Sequence, residues 1–310
     1  MNNYELVIVG GGPAGITAGI YAARQRVKTL LITKGFGGQI ARKAVQIENY
    51  PGFEEISGLE LIQKLENHLR KQVIEIKTGE VKKVEKVGDE FIITTKEKEN
   101  FKSKAVIVCS GADPRPLEIA GEKEFLGRGV SYCTVCDAPL FANKTVAIIG
   151  GGNAGFEAAV ALAQWARKIY ILEYGDKIIA DAENQERAQK TGKVELILNA
   201  KSQTIKGEQM VKSLVYLDRK TQQEKELPVD GIFIEIGTQP ATAFVKGLAE
   251  FNEKDEIKVD PFTGETNTPG LFAAGDADNV PYKQIVVAAG EGAKAALSAV
   301  NYLRQHAIKK

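Results

Sequence analysis

Two short glycine-rich runs, Gly10-Gly11-Gly12-Pro13-Ala14-Gly15 and Gly150-Gly151-Gly152-Asn153-Ala154-Gly155, constrain the fold more than any other feature of this 310-residue chain. Each follows an apolar run, Leu6-Val7-Ile8-Val9 in one case and Thr145 to Ile149 in the other. Each leads into a helical stretch, Ile16 to Arg24 and Phe156 to Arg167. Strand, G-x-G-x-x-G and helix in that order make the phosphate-binding corner of a dinucleotide fold. The glycines permit a tight turn and close backbone approach, and the helix N-terminus faces the pyrophosphate charge. One such motif is weak evidence, but two in the right context, 150 − 10 = 140 residues apart, describe an internal duplication.

The halves also close alike. Ala105-Val106-Ile107-Val108-Cys109 ends at Ser110-Gly111, and Gly231 to Ile236 ends at Gly237. A β-rich stretch precedes each: Val81 to Val87 with Phe91 to Thr95, joined at Gly88-Asp89, and the region around Val211 to Leu217. Thr268 to Asp276 reads as a third strand and glycine turn, and Tyr282 to Arg304 contains a helix, with no complete nucleotide motif of their own. The simplest arrangement returns this segment to the first half. The expected architecture is α/β, with two Rossmann-like dinucleotide-binding domains of three-layer ββα type. The first is discontinuous, 1–113 with 242–310, and the second, 114–241, is inserted after the stiff connector Ala112-Asp113-Pro114-Arg115-Pro116.

Between the glycine loops lies Cys133-Thr134-Val135-Cys136-Asp137. Two thiols at this spacing close into a small, reducible disulfide ring, and Asp137 is placed to supply or accept the proton that exchange requires. Zinc would need four ligands, and only Cys109, His68 and His306 remain, widely scattered, so no metal site is expected. Cys109, inside an apolar strand, reads as inert core. Three cysteines are too few for a disulfide scaffold, so the pair points to chemistry.

With 41 basic against 40 acidic residues, no global field favours nucleic acid or an anionic membrane as a partner. The N-terminal residues lack the pattern of a secretory leader and the apolar runs are strand-sized, so a cytoplasmic protein is expected.

The second Rossmann unit carries an acid, Glu173, after the strand Ile169 to Leu172, and 173 − 155 = 18 residues beyond the last motif glycine. That is where a carboxylate holds the adenosine ribose. The equivalent strand of the first unit ends in Thr33-Lys34. Gly35 to Gly38 with Gln39, and Glu48 to Gly52 with Asn49, are turn-rich loops whose amides suit a ring system. Ser57-Gly58-Leu59-Glu60 reads as a capping box before a structural helix with Leu59, Ile62, Leu65 and Leu69 on one face.

Gly10 to Gly15, Cys133 to Asp137, Gly150 to Gly155 and Gly275-Asp276, in this order, resemble the low-molecular-weight thioredoxin reductase family over essentially the whole chain. Around Glu173, and in Pro139-Leu140-Phe141, Val280 to Ile285 and Gly290-Glu291-Gly292-Ala293-Lys294, the chain resembles still more the flavoprotein component of alkyl hydroperoxide reductase, whose N-terminal thioredoxin-like domain is expected to have no counterpart here. The resemblance implies FAD on the first domain, at Gly10, Gly12, Pro13, Ala14, Gly15, Thr33, Gly37, Gly38, Gln39, Asn49, Gly275, Asp276, Gln284 and Ile285. It implies a nicotinamide dinucleotide on the second, at Gly150, Gly152, Asn153, Ala154, Gly155, Glu173 and Gly237. It makes Cys136 the flavin-facing sulfur, Cys133 the one that attacks a protein substrate and Asp137 the proton donor, in a homodimer.

The family's His-Arg-Arg run for the 2′-phosphate of NADPH is replaced by Glu173-Tyr174-Gly175-Asp176-Lys177, which favours NADH over NADPH. Ala138 stands where glycine is common. The implied activity is transfer of electrons from the nicotinamide through FAD and Cys133/Cys136 to a thioredoxin-like protein. The alternatives are reduction of a glutaredoxin-like or thioredoxin-like carrier that feeds a peroxiredoxin, and electron entry from a ferredoxin. A binding protein that keeps the fold without turnover would not need the Cys-x-x-Cys-Asp.

Overall fold

The computed structural model describes residues 2–43 and 46–307. The chain forms two compact units, Met1–Asp113 with Gln239–Lys310, and Pro114–Thr238. The return crossing lies at 238/239, three residues before the expected 241/242. The reason is local: the Ala241 N–H donates to the Gly111 carbonyl at 2.9 Å, tying this stretch to the first unit, whereas the Arg115 N–H donates to the Gly237 carbonyl at 3.0 Å within the second.

In the first unit, parallel strands lie in the spatial order Glu75–Thr78, Thr29–Thr33, Asn2–Val9, Asn100–Val108 and Leu271–Ala273. The strand Asn100–Val108 is long enough to be used twice. Its first half pairs antiparallel with Glu90–Thr95 of the hairpin begun by Val81–Val87, and Val106 to Val108 pair parallel with Leu271 to Ala273. Side-chain alternation along the central strand then builds two cores. Leu6 and Ile8 pack with Ile16, Ala18, Ala295 and Ala299 of the helices Pro13–Arg24 and Ile285–Ala307. Val7 and Val9 pack with Val84, Phe91 and Ile93 of the hairpin. Each such side chain taken from water contributes about 1.5–3 kcal/mol. Phe91 is fully buried, and truncating it to alanine should cost about 3–5 kcal/mol.

The second unit repeats the plan. Parallel strands follow the order Val130–Ser131, Gly231–Ile234, Thr145–Ile149, Lys168–Leu172 and Val194–Ile197. Val146 and Ile148 face Phe156 and Leu162 of the helix Asn153–Leu162. Ala147 and Ile149 face Leu214 and Tyr216 of the antiparallel sheet Ala200–Gly207, Val211–Asp218 and Gln223–Pro228. Each unit is thus helices, parallel sheet and a second β layer.

Two expected elements differ in detail. The helix Gly58–Arg70 is capped by Ser57, whose hydroxyl accepts from the Glu60 N–H at 3.2 Å, but Leu59 in its first turn is exposed and the buried face is carried by Leu61, Ile62 and Leu69. The helix after the second glycine run starts at Asn153 and stops at Leu162, because the chain must turn to bring Lys168 into its strand. Among the described residues, no helix is long and apolar enough to cross a membrane.

Candidate active site: two glycine loops and a disulfide

The glycine loops are built alike, from the backbone outward. Gly10 and Gly150 have φ of +119° and +122°, and a Cβ at either would overlap a carbonyl oxygen, that of Cys109 or of Glu235. Only glycine tolerates both the conformation and the close approach. The helices that follow are N-capped by Gly12 and Gly152, with no side-chain cap hydrogen bond at either. A Cβ at Gly12 would meet nothing within 4 Å. An uncapped helix N-terminus beside open space suits a phosphate group, whose charge is favoured by the N–H groups and the helix dipole.

Around the first loop the chain gathers residues from three distant segments. The Gly37 N–H donates to the Gly11 carbonyl at 2.9 Å, so Gly37 and Gly38 lie along the loop. Thr33, buried at its strand end, donates to the Gly35 carbonyl at 2.6 Å and shapes this turn. The Gln39 amide donates to Asp276 Oδ2 at 2.7 Å, and the Asn49 amide to Gln284 Oε1 at 3.3 Å. Gly275, with φ +76°, packs against Ala14, and Ile285 opens the last helix next to Gln284. Burial pushes the Asp276 carboxyl above the usual carboxylate range, against the pull of Lys283 and the Gln39 amide.

Two buried polar atoms near this loop, Ser110 Oγ and Glu291 Oε1, have no hydrogen-bond partner among the described residues. Atoms of this kind are costly unless a bound group satisfies them. With the open helix N-terminus and the Gln39 and Asn49 amides, they fit a large polar dinucleotide such as FAD. The other Glu291 oxygen accepts from the Gly275 N–H at 2.8 Å. Burial is the main cause of the raised Glu291 carboxyl, and Asp278 beside it is pushed up to about 7 by burial first and the Glu291 charge second. Cys109 is buried and its thiol lies well above the ordinary range, chiefly through burial.

In the second unit, Glu173 stands at the end of the Lys168–Leu172 strand and reaches back to the loop. Its Oε2 accepts from the Gly151 N–H and its Oε1 from the Gly175 N–H, both at 2.7 Å. Each oxygen keeps a lone pair, so the carboxylate can still accept from a ribose hydroxyl pair. Asn153 exchanges two hydrogen bonds with Asp181, at 2.8 and 2.7 Å, fixing the start of the loop helix. Beyond Glu173, the Arg219 guanidinium lies 3.9 Å from the Tyr174 ring centroid and donates to the Tyr174 carbonyl at 2.8 Å.

Cys133 and Cys136 form a disulfide with Cα atoms 5.3 Å apart. Cys133 caps the short helix Thr134–Asp137, and its sulfur accepts from the Cys136 N–H at 3.2 Å. Ser131 brackets it, accepting from the Cys133 N–H at 2.9 Å and donating to the Cys133 carbonyl at 3.3 Å. Cys136 is exposed, and Cys133 and Asp137 are half-buried. The preceding Tyr132 hydroxyl bonds to Glu122, whose oxygens also accept from the Leu117 and Glu118 N–H groups at 2.7 and 2.6 Å.

Sequence reasoning singled out the glycines, the cysteines, Gln39, Asp276 and Glu173. It passed over Glu122, Glu235, Asp278, Arg219 and the roles of Tyr132 and Glu291. Only Glu291 had a signal, between two glycines on a helix that packs closely.

Residues 4–292 match the model of the pyridine nucleotide-disulphide oxidoreductase family. The chain belongs to this family. It is 41% identical over 305 residues to the F subunit of alkyl hydroperoxide reductase of Pseudomonas aeruginosa and 40% identical over 301 residues to a protein named NADH dehydrogenase of Bacillus subtilis. Both alignments cover 97% of this chain and 58% of the relative, so the chain spans somewhat over half the length of these proteins. The crystal structure of Lactococcus lactis thioredoxin reductase superposes with a TM-score of 0.91 at 39% identity, over 97% of this chain and 99% of that one. The two-unit α/β fold of this oxidoreductase family is therefore the fold of this chain.

Proposed function

We propose that the protein is an FAD-dependent disulfide reductase that takes electrons from NADH in preference to NADPH and delivers them to a thioredoxin-like protein. The observation that carries the reading is the Cys133–Cys136 disulfide, which shares a unit with the second glycine loop and has Asp137 beside it. In this reading the unit of Met1–Asp113 with Gln239–Lys310 holds FAD, and Pro114–Thr238 holds the nicotinamide dinucleotide. Bound FAD supplies the conversion between hydride and thiol chemistry.

The chain's own residues then perform the exchange. In the reduced pair, the Cys133 sulfur at the helix cap is favoured as thiolate by the Cys136 N–H, which suits it to attack a carrier disulfide. That attack forms a mixed disulfide and releases one carrier thiolate, which takes a proton from Asp137. Cys136 next gives its proton to the Asp137 carboxylate and attacks the Cys133 sulfur, which restores the Cys133–Cys136 bond and releases the second carrier thiolate to take that proton. Two electrons and two protons pass to the carrier.

The 41% identity to the F subunit of an alkyl hydroperoxide reductase supports a second reading, in which the carrier feeds a peroxiredoxin. Anaerobic titration of the yellow protein with NADH and NADPH in parallel, followed by candidate thioredoxin-like and glutaredoxin-like carriers, tests both. Bleaching by NADH and reoxidation by a carrier disulfide is the expected result. A colourless protein, or one that no nicotinamide bleaches, rejects the proposal.

A further inference from the structure

Glu122 is 3% exposed and gathers three hydrogen bonds. Its Oε1 accepts from the Leu117 N–H at 2.7 Å and from the Tyr132 hydroxyl, and its Oε2 accepts from the Glu118 N–H at 2.6 Å. Leu117 and Glu118 directly follow Pro114-Arg115-Pro116, where the chain enters the second unit. Glu118 has φ +59°, which takes this turn out of any regular ladder, and the Glu122 side chain supplies the acceptors its N–H groups need. The loop is also fastened to the antiparallel sheet. The Ile205 N–H donates to the Ala120 carbonyl at 2.9 Å, and a Cβ at Gly121 would strike the Ile205 carbonyl oxygen. Glu122 is therefore a fixed point.

Tyr132 carries that fixed point to the disulfide. It directly precedes Cys133, and its ring packs against the same core as Leu117 and Ile119. Burial holds its phenol above the usual range, so the hydroxyl keeps the proton it donates. Before it, Val130 and Ser131 pair with Ile232 and Phe233. After it, the helix Thr134–Asp137 is only four residues long. One helical turn does not hold itself together, because it fixes several dihedrals for a single hydrogen bond. While the Cys133–Cys136 bond is closed it restrains this turn. Once that bond opens, the restraint passes to contacts made from outside the ring, and the Tyr132 bond is made by the residue next to Cys133.

We infer that Glu122 and Tyr132 are positioning residues for the Cys133/Cys136 pair, whose hydrogen bond keeps Cys133 in place in the dithiol state so that Cys136 can close on it again. The disulfide ring is restricted by its own covalent bond, so this anchoring removes freedom chiefly from the dithiol. Taking the anchor away therefore favours the dithiol. The inference rests on the redox reading of the cysteine pair and deepens it.

The test is an equilibrium titration of the flavin-loaded chain in buffers of reduced and oxidised dithiothreitol, quenched by an alkylating reagent and read by mass. In this reaction the Cys133–Cys136 bond breaks and two S–H bonds form, with both electrons and both hydrogens supplied by dithiothreitol as it closes to its own disulfide. Tyr132→Phe keeps the ring and removes the hydroxyl. It should shift the equilibrium toward the dithiol by about threefold to tenfold, tenfold being about 30 mV. Leu117→Ala loosens the same packing while keeping the N–H that bonds Glu122, and should leave the equilibrium where it is in the wild type. An unshifted Tyr132→Phe, or an equal shift in Leu117→Ala, overturns the inference, the second because packing alone would then account for the effect. A wild-type pair that does not exchange with dithiothreitol rejects the redox reading itself. Should Tyr132→Phe fold poorly, amide hydrogen exchange in the wild type decides: residues 132–137 should stay protected after reduction, and loss of that protection overturns the inference.

Discussion

The side-chain amide of Gln39 donates to Asp276 at 2.7 Å across 237 residues of sequence. This bond joins the loop after the second strand to the glycine turn of the returning C-terminal segment, on the same side as the first glycine loop. Gln39→Ala would leave a half-buried Asp276 carboxyl, already raised by burial, without its amide donor. Its expected effect is a weakening of FAD retention by about tenfold, equivalent to about 1.4 kcal/mol, measured as flavin released on dilution or in mild denaturant. Unchanged retention would remove this pair from the cofactor site.

Replacing either Cys133 or Cys136 with serine should abolish carrier reduction while nicotinamide still bleaches the flavin, because the disulfide follows the flavin in the proposed route. Stopped-flow bleaching and carrier assays on the same preparations separate the two stages. Carrier turnover above about 1% of wild type in both variants contradicts the assignment. After reduction, a thiol reagent should label Cys133 and Cys136 and spare Cys109 in the folded protein, since Cys109 is buried and its thiol is held far from ionisation.

NADH should exceed NADPH in kcat/KM by about tenfold or more. A 2′-phosphate near Glu173 meets like-charge repulsion of about 1–4 kcal/mol, depending on the local dielectric. The Gly151 and Gly175 N–H groups fix that carboxylate at the loop. Glu173→Ala should lower kcat/KM for NADH and narrow the ratio. Arg219, held over Tyr174, is the cation placed to offset the phosphate charge, so Arg219→Ala should widen it. Parity between nucleotides in wild type, lost in Arg219→Ala, would show that the arginine and not Glu173 decides selectivity.

Much of this site was legible because its signals are local. A glycine run after an apolar strand, two cysteines at fixed spacing and an acid at a strand end are each set within one element and its neighbours. The discontinuous unit was legible because Thr268 to Asp276 reads as a strand without a nucleotide motif of its own. What escaped depends on long-range packing. Glu235 sits in an apolar strand sequence, and its bond to the Thr134 hydroxyl spans 101 residues. Glu122 gains its role from Tyr132 and two backbone donors, and Arg219 from a hairpin turn that brings it onto Tyr174. Leu59 was misplaced because helical spacing alone does not say which side of a first turn faces the core.

Asp278 gives the fold a pH dependence with a definite sign. Its carboxyl is pushed up to about 7 in the folded chain, by burial first and by Glu291 second, against an unfolded value of about 3.9. Between these values the folded state keeps a proton that the unfolded chain releases. Stability contributed here therefore falls as pH rises from about 4 to about 7, and the loss is complete above that range. Asp278→Asn removes the ionisation and retains an oxygen for the Val280 N–H, which Asp278 Oδ1 accepts at 2.8 Å. It forfeits a 3.8 Å pairing with Lys283, which also lies 3.3 Å from Glu256. Relative to wild type, the variant should gain several degrees of Tm at pH 8, at about 2–4 °C per kcal/mol for a domain of this size, and lose most of that gain at pH 5. A variant less stable than wild type at pH 8 would mean that Asp278 is held as an anion by Lys283 and that burial is the weaker influence.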